Sequence, residues 1–189
     1  MWKKLPKDEN GTISQEAYDP LTFPWEDFYL GYVRGERPEG SHPWWEIDNL
    51  SMPVNVDGYH WVLAAVNLVE RKVRIYDSLC KETDPFFREQ YVAPLALLLP
   101  SLMYSGGYFE HKGRQVHVTP FACKRLGPDT VPQQRRAGHC GAFTLLFAEY
   151  IVAHRQKFDF NAKQIKALRK KMSIDIFANS ARLEDDDEE

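Results

Sequence analysis

The sequence contains few cysteines, and their spacing predicts neither a disulfide framework nor a structural metal site. Only three occur in 189 residues, at positions 80, 123 and 140, and no two of them form a C-x-x-C pair. An odd, widely spaced set of cysteines is typical of proteins from reducing compartments. We therefore expect a nuclear or cytoplasmic protein.

The sequence also lacks an apolar run long enough to cross a membrane. Its longest apolar stretch, Leu95–Met103, contains Pro100 and is about half as long as the roughly 20 residues that a spanning helix needs. The first ten residues are polar and charged, without the apolar segment of a secretory signal peptide. These absences predict a protein without a membrane partner.

The composition is that of one globular domain with an acidic end. Hydrophobic residues make up 43% of the chain and aromatic residues 13%, which is enough to fill a single core. The last six residues, 184–189, are all acidic, and without them the 24 basic residues outnumber the acidic ones, 27 less six. We expect one domain over residues 1–183, irregular over 1–20, and a disordered acidic tail over 184–189. A tail that lies on the mildly basic body, inhibiting it or binding a partner, is the alternative.

Three strands are predicted in the first half of the chain, and the last two form a hairpin. Proline in the first of them is typical of an edge strand, and Asp57-Gly58 is a strong turn signal. The predicted strands are Leu50–Val56, His60–Leu68 and Val73–Tyr76.

The hairpin places two polar residues at one end of the predicted sheet. His60 begins the second strand and Asp77 directly follows the third. Because the first residue of one antiparallel strand lies opposite the last residue of the next, we expect these side chains to be close.

The second half of the chain is predicted to be mostly helical. Asp84 is a candidate N-cap, with Pro85 in the first helical position, and apolar residues recur at helical spacing after Cys140. The predicted helices are a short one from about Phe23–Tyr29 to Gly35, then Pro85 to Leu99, Cys140 to about His154, and Ala162–Met172; a further strand is predicted at Gln115–Thr119.

Cys140 is a candidate nucleophile because of its place in the predicted helix. The positive end of the helix dipole favours a thiolate at the first helical residue. Gly141 beside it has no side chain that would crowd a substrate. On the helix alone, a buried structural cysteine is the more common outcome.

Three other residues have the chemistry that a cysteine nucleophile needs. His60 could take the thiol proton and later protonate a leaving amine, and Asp77 could orient its imidazole. Gln134 could donate its amide N–H to an oxyanion. Taken singly, each has a structural alternative: a histidine at a hairpin edge, an aspartate that begins a turn with Ser78, and a loop glutamine.

Together, these positions resemble the SUMO-specific (ubiquitin-like) protease family. The motifs that carry the resemblance are Gly58-Tyr59-His60-Trp61, Tyr76-Asp77-Ser78 and Gln134-x5-Cys140-Gly141. The resemblance covers about residues 44–155. The residues of these motifs are most similar to those of the plant versions of the family, which are often carried by transposable elements. The three spacings are specific jointly, although each is weak alone.

The resemblance implies an α+β, papain-like cysteine protease fold. In such a fold a central helix carrying Cys140 packs on a mixed or antiparallel sheet carrying His60 and Asp77. It assigns Cys140 as nucleophile, His60 as base, Asp77 as its orienter and Gln134 as oxyanion donor, with Trp61 and Gly141 in substrate binding. The implied reaction is hydrolysis after the Gly-Gly of a ubiquitin-like modifier, in a precursor or a conjugate, without metal or cofactor.

Two departures from the family pattern affect the front of the chain and the nucleophile. The family usually has an acidic residue where this chain has His139. It also has a longer stretch before the catalytic histidine, with a Trp-x-x-Asp element that opens onto helices. Trp45–Asp48 matches the Trp-x-x-Asp pattern, but strand-like residues follow it. We therefore interpret this segment as the lead-in to the first strand. We therefore expect an N-terminal part that is truncated or rearranged.

These departures leave a second function open. If part of the modifier-binding surface is absent, the alternative is a catalytically weak or inactive module that binds a ubiquitin-like modifier. An acyltransferase using the same thiolate is a third reaction known among relatives of this clan, but no site for the phosphates of coenzyme A is evident.

Metal and nucleic-acid binding are not expected. A zinc site from Cys140, His139, Cys123 and His117 would lack the close ligand pairs of structural zinc sites. The basic residues of the last predicted helix are typical of a solvated face, and no nucleic-acid motif accompanies them. We expect a monomer.

Overall fold

The computed structural model describes residues 19–56, 58–80, 85–155 and 157–186. Its centre is a four-stranded sheet in the order β1-β2-β3-β4. The first three strands are antiparallel, and β4 pairs parallel with β3. The strands are β1 Asn49–Val56, β2 His60–Asn67, β3 Lys72–Tyr76 and β4 Ala122–Arg125.

Five helices and one 3₁₀ turn surround this sheet within the described residues. They are α1 Asp27–Val33, the 3₁₀ turn Trp44–Glu46, α2 Pro85–Ser105, α3 Tyr108–His111, α4 Cys140–Val152 and α5 Ile165–Asp186. Across the described part of the chain, none of these helices has the length and apolar character needed to cross a membrane.

The sheet is buried on both faces, because successive residues of a strand point to opposite sides. Val62, Ala64 and Val66 of β2 belong to a core cluster that also contains buried residues of α2. Leu63, between them, belongs to a second cluster with α4. The helix that begins at Cys140 therefore packs on a mixed sheet, as the predicted α+β fold requires.

Aromatic side chains fix α4 against the sheet. Phe143 and Phe147 are fully buried on its inner side. Phe147 lies 5.9 Å from the ring of Tyr76 on β3 and 5.3 Å from the ring of Phe158. Aromatic pairs at these separations add to the free energy of burial. The position of Cys140, at the first turn of α4, is thus set by packing deep in the core.

Most of the predicted elements are confirmed, although α2 ends six residues beyond the predicted Leu99, at Ser105, and α5 begins three residues after the predicted Ala162. Among the described residues, β1 pairs with β2 alone and is an edge strand, as its proline predicted. Trp45 lies in the 3₁₀ turn and β1 begins at Asn49, so Trp45–Asp48 is the lead-in to that strand. Gly58 has φ +81°, which fits the predicted turn. Asp57, Asp84 and residues 1–18 lie outside the described residues.

The predicted strand at Gln115–Thr119 is wrong. The segment is irregular, and the carbonyls of His117 and Thr119 accept hydrogen bonds from the guanidinium of Arg71. The strand that was missed is β4, in which no residue is β-branched or aromatic. It forms because it lies beside β3, which is a contact that no local pattern encodes.

The last helix is longer than predicted. It was expected to end at Met172, but α5 continues to Asp186, so Glu184–Asp186 are helical where a disordered tail was predicted. Lys171 and Asp175 form an ion pair one turn apart, with Nζ and Oδ2 separated by 2.6 Å. Such a pair supports continuation of a helix. Residues 187–189 lie outside the described part of the chain.

Candidate active site

His60 and Asp77 meet at one end of the β2–β3 hairpin. The register pairs Leu63 with Tyr76, and its continuation places Asp77 opposite Val62, two residues from His60 on the same face. The His60 Nε2 lies 3.0 Å from the Asp77 Oδ1, and both side chains are buried. The predicted proximity is confirmed, although the two residues are offset along the hairpin and not directly opposite.

The Asp77 carboxylate has two further partners. Its Oδ1 also accepts a hydrogen bond from the Leu79 N–H at 2.8 Å, so Asp77 begins a turn, as its structural alternative proposed. Its Oδ2 lies 3.0 Å from the Nη2 of Arg125 on β4. Asp77 is therefore both a turn residue and the centre of a buried charge cluster.

Cys140 lies next to the residue that precedes His60. Its Sγ is 3.9 Å from the Tyr59 carbonyl oxygen, and its side chain is 6% exposed. The hydrogen-bond ladder of α4 begins with the Phe143 N–H, which donates to the His139 carbonyl at 3.1 Å. The N–H groups of residues 140–142 are thus the donors at the positive end of the helix, where an anion is stabilised.

The side chain of Gln134 is buried and its orientation is fixed. Its backbone N–H donates to the Ser78 carbonyl at 2.8 Å. Its side-chain Oε1 accepts from the Ser78 hydroxyl at 3.0 Å. Because Ser78 occupies the oxygen end of the amide, the Nε2 end is directed elsewhere and keeps its two N–H donors for other groups.

Gln133 joins the Asp77 turn to the loop that carries Gln134. Its Nε2 donates to the Asp77 carbonyl at 3.0 Å and to the Val131 carbonyl at 2.9 Å. Its Oε1 accepts from the Cys80 N–H at 2.8 Å. The residue that orients the imidazole and the candidate oxyanion donor therefore belong to one hydrogen-bonded unit.

The other two cysteines have different surroundings from Cys140. Burial raises the pKa of the Cys80 thiol, while the charge and hydrogen bonding of Arg125 and a hydrogen bond from Gln133 oppose that rise. The Cys80 thiol donates to backbone carbonyls, which is a structural role. Cys123 is exposed on β4. Of the three, Cys140 alone begins a helix, and it contacts the residue before His60.

Trp61 covers the start of α4. It is 40% exposed, and its Cδ1 lies 4.0 Å from the place that a Cβ on Gly141 would occupy. That distance is an ordinary van der Waals contact, so the protein itself leaves room for a small side chain at position 141.

The surroundings of His139 and of the candidate metal ligands in the structure bear on two alternatives raised by the sequence. Among the residues it describes, no three His, Cys, Asp or Glu side chains lie where they could hold a metal ion. His139 is the N-cap of α4 but makes no side-chain capping hydrogen bond. Its side chain is partly exposed.

Three contributors to the site were missed or left without a role in the sequence analysis. Arg125 gave no signal, because only the parallel pairing of β4 with β3 brings it to Asp77. Gln133 looked like a loop residue. Ser78 belongs to the Tyr-Asp-Ser motif, which was a signal, but its contact with Gln134 spans 56 residues of sequence.

Comparison with known proteins identifies relatives of this arrangement. Residues 12–182 match the sequence profile of the Ulp1 protease family, C-terminal catalytic domain. A sentrin-specific protease from Caenorhabditis elegans is 26% identical over 151 residues, which is 77% of this chain and 19% of that protein.

Solved structures of SUMO protease Ulp1 have a similar fold. One, with its catalytic cysteine oxidised to a sulfenic acid, has a TM-score of 0.53 and 18% identity, covering 80% of this chain and 62% of the other. Another, the C-terminal Ulp1 domain in complex with Smt3, the yeast ortholog of SUMO, has a TM-score of 0.52 and 21% identity, covering 76% and 58%. This chain thus spans about a fifth of the matched curated relative and somewhat over half of the matched solved chains.

Proposed function

The chain belongs to the Ulp1 protease family, and from that premise we propose that it is a cysteine peptidase acting on a ubiquitin-like, SUMO-like modifier. The bond cleaved is the one after the Gly-Gly end of the modifier, either a peptide bond in a precursor or an isopeptide bond to lysine. The observation that carries the proposal is the buried His60–Asp77 pair together with Cys140 at the start of α4, whose Sγ lies 3.9 Å from the carbonyl oxygen of Tyr59, the residue before His60. We place the activity in a reducing compartment, nucleus or cytoplasm, where the thiol stays reduced.

Activation of the nucleophile follows from the orientation of the imidazole. Because Nε2 faces Asp77, Nδ1 is the nitrogen assigned to proton exchange with Cys140. The thiol proton passes to Nδ1, and the resulting imidazolium is stabilised by the Asp77 carboxylate. The positive end of α4 stabilises the thiolate that remains.

The thiolate then attacks the carbonyl carbon of the terminal glycine. A carbon–sulfur bond forms, and the π electrons of the carbonyl move to its oxygen. The Nε2–H of Gln134 and the N–H of Cys140 are the donors assigned to this oxyanion. Donors fixed before the reaction stabilise the developing charge without further reorganisation, and Ser78 fixes Gln134 in that way.

Collapse of the tetrahedral intermediate breaks the carbon–nitrogen bond. The imidazolium gives its proton to the leaving amine, which leaves a thioester on Cys140 and a neutral His60. His60 next takes a proton from water, and the hydroxide attacks the thioester. Collapse of the second tetrahedral intermediate breaks the carbon–sulfur bond, and the imidazolium returns its proton to the sulfur. The products are the regenerated thiol and the carboxylic acid of the modifier, which ionises to the carboxylate.

Trp61 accounts for selection of a glycine tail. Its exposed indole lies over the helix start, next to Gly141. A substrate tail that reaches Cys140 runs along the exposed part of this indole, where a Cβ would collide with the ring. Glycine residues fit such a passage and larger residues do not.

A panel of ubiquitin-like modifiers with a C-terminal vinyl sulfone tests the proposal. The thiolate adds to this group, so one modifier should give a covalent adduct that is absent in Cys140→Ala. Cys123→Ala is the matched control, because Cys123 is exposed and has no part in the proposed reaction. This variant should form the adduct at the same rate as the parent protein. The pH–rate profile of the parent should have a limb that reports the titration of His60, and this limb should be absent in His60→Ala.

The outcomes separate the alternatives. Binding of one modifier without any adduct would favour the inactive binding module. An adduct that persists in Cys140→Ala, or no response to any modifier of the panel, would contradict the proposed function.

A further inference from the structure

We propose that Arg125 is a positioning residue of the active site, which holds the Asp77 carboxylate so that its other oxygen orients His60. The inference rests on the proposed function for its catalytic consequence. The contact between the two residues is observed independently of that function, as a 3.0 Å ion pair between the Arg125 Nη2 and the Asp77 Oδ2.

The sheet aims Arg125 at Asp77. In the parallel pairing of β3 and β4, Arg125 lies beside Ile75. The backbone is held at this point, because the Leu126 N–H donates to the Ile75 carbonyl at 3.0 Å. Asp77 is two residues beyond Ile75 and so projects from the same face. The guanidinium of Arg125 therefore extends along the strand direction from the level of Ile75 to Asp77. The Arg125 side chain is only 13% exposed.

The two oxygens of Asp77 have separate partners. Oδ1 faces the His60 Nε2 and accepts from the Leu79 N–H, while Oδ2 faces Arg125. The hydrogen bonds at Oδ1 and the ion pair at Oδ2 together restrain rotation of the carboxylate about its terminal bond. The geometry of the His60–Asp77 contact is thus fixed from the side remote from the imidazole, as outer partners fix the ligands of other catalytic groups.

Arg125 also supplies the charge that a buried carboxylate needs. The Asp77 side chain is fully buried, and an ionised carboxylate without a cationic partner is costly in such a place. When His60 is neutral, Arg125 still places a cation beside Asp77. The orienting group therefore stays ionised through the catalytic cycle while the charge on His60 changes.

The same charge acts on the protonation of His60. Two positive groups that share one carboxylate repel each other, so Arg125 disfavours the imidazolium form of His60. Two other titratable groups of the described residues lie near this cluster: Cys80, whose thiol donates to the Asp77 carbonyl, and Cys140, whose thiol lies against the Tyr59 carbonyl. Removal of Arg125 should therefore shift His60 protonation to higher pH.

Steady-state kinetics with a cleavable modifier test the positioning role. We expect Arg125→Gln to lower kcat/KM about 10-fold through lost orientation of the imidazole, and to move the alkaline limb of the profile to higher pH. Arg125→Lys keeps the charge and should restore the limb to its parent position. Lys124→Gln, the neighbouring exposed residue on β4, should match the parent in both respects.

A titration that needs no activity separates this inference from the proposed function. In a Cys140→Ala background, the imidazole resonance of His60 can be followed by NMR against pH and assigned by its loss in His60→Gln. The midpoint should rise in Arg125→Gln and return in Arg125→Lys. A purely structural role would lower the free energy of unfolding without moving this midpoint, and a midpoint unchanged in Arg125→Gln would overturn the inference, whether or not the parent cleaves any modifier.

Discussion

At the scale of single residues, the candidate catalytic groups are held through atoms that the proposed reaction does not use. Gln134 is held by its Oε1, which leaves Nε2 to donate to an oxyanion. His60 faces Asp77 through Nε2, which leaves Nδ1 for proton exchange. Each group is thus oriented before a substrate arrives, and the orienting residues become testable in their own right.

Ser78→Ala tests the orientation of the Gln134 amide. Without the hydroxyl the amide can rotate, so we expect kcat to fall about 10-fold with KM little changed. This loss is smaller than the 10²–10³-fold typical of removing an oxyanion donor outright, which is our expectation for Gln134→Ala. Steady-state kinetics on a cleavable modifier would measure both.

The double variant supplies the decisive comparison for Ser78. If the serine acts through Gln134, Ser78→Ala should cost nothing further in a Gln134→Ala background. If the fold-losses in kcat of the two single variants multiply in the double variant, Ser78 acts independently of Gln134. Ser173→Ala on α5, whose hydroxyl bonds to its own helix, is the control and should be neutral.

At the scale of elements, the close approach of α1 to the end of α2 depends on one glycine. A Cβ on Gly106 would lie 2.5 Å from the Val33 Cγ1 and 2.6 Å from its Cβ. Val33 is fully buried in the core cluster that includes residues of α2. A side chain at position 106 would therefore push the two helices apart.

Gly106→Ala should consequently lower the free energy of unfolding. Overpacking of a well-filled core costs about 1–3 kcal/mol, and we expect a loss in that range from urea denaturation. Gly127→Ala is the matched control, because its Cβ would meet nothing within 4 Å and its φ is not positive. Equal stability of the two variants would contradict the packing proposed for α1 and α2.

At the scale of the whole molecule, two layers of helices enclose the sheet, and each face has its own core cluster. The cluster under α4 positions Cys140, while the hairpin positions His60 and Asp77. The geometry of the site therefore depends on how α4 packs against the sheet. Loss of packing in this cluster should affect both stability and reaction.

Phe147→Ala tests that dependence. Phe147 is fully buried at the centre of the α4 cluster, and truncation of such a residue costs about 3–5 kcal/mol. Leu145→Ala on the same helix removes an exposed side chain and should change the free energy of unfolding by less than about 0.5 kcal/mol. Denaturant titrations of the two variants give the comparison, and similar losses in both would contradict the burial of α4.

The sequence predicted the elements that have a strong local pattern. The β2–β3 hairpin, the start of α2 at Pro85 and the start of α4 at Cys140 are confirmed within a residue or two. A turn signal, a proline at a helix start and apolar periodicity each act over a few residues. The hairpin also carried the contact between His60 and Asp77, because a short connection between antiparallel strands fixes which residues meet.

The sequence by itself therefore determined the His60–Asp77 pair through one hairpin and the place of Cys140 through apolar periodicity, while the fold class and the role of Gln134 came from the joint spacing of motifs that resemble a known family. Tertiary structure alone decided the place of β4, the contact of Ser78 with Gln134 and the ion pair of Arg125 with Asp77. These contacts join residues 48 to 56 positions apart. Such contacts arise only when separate elements pack together, and a single sequence carries no periodic signal for them.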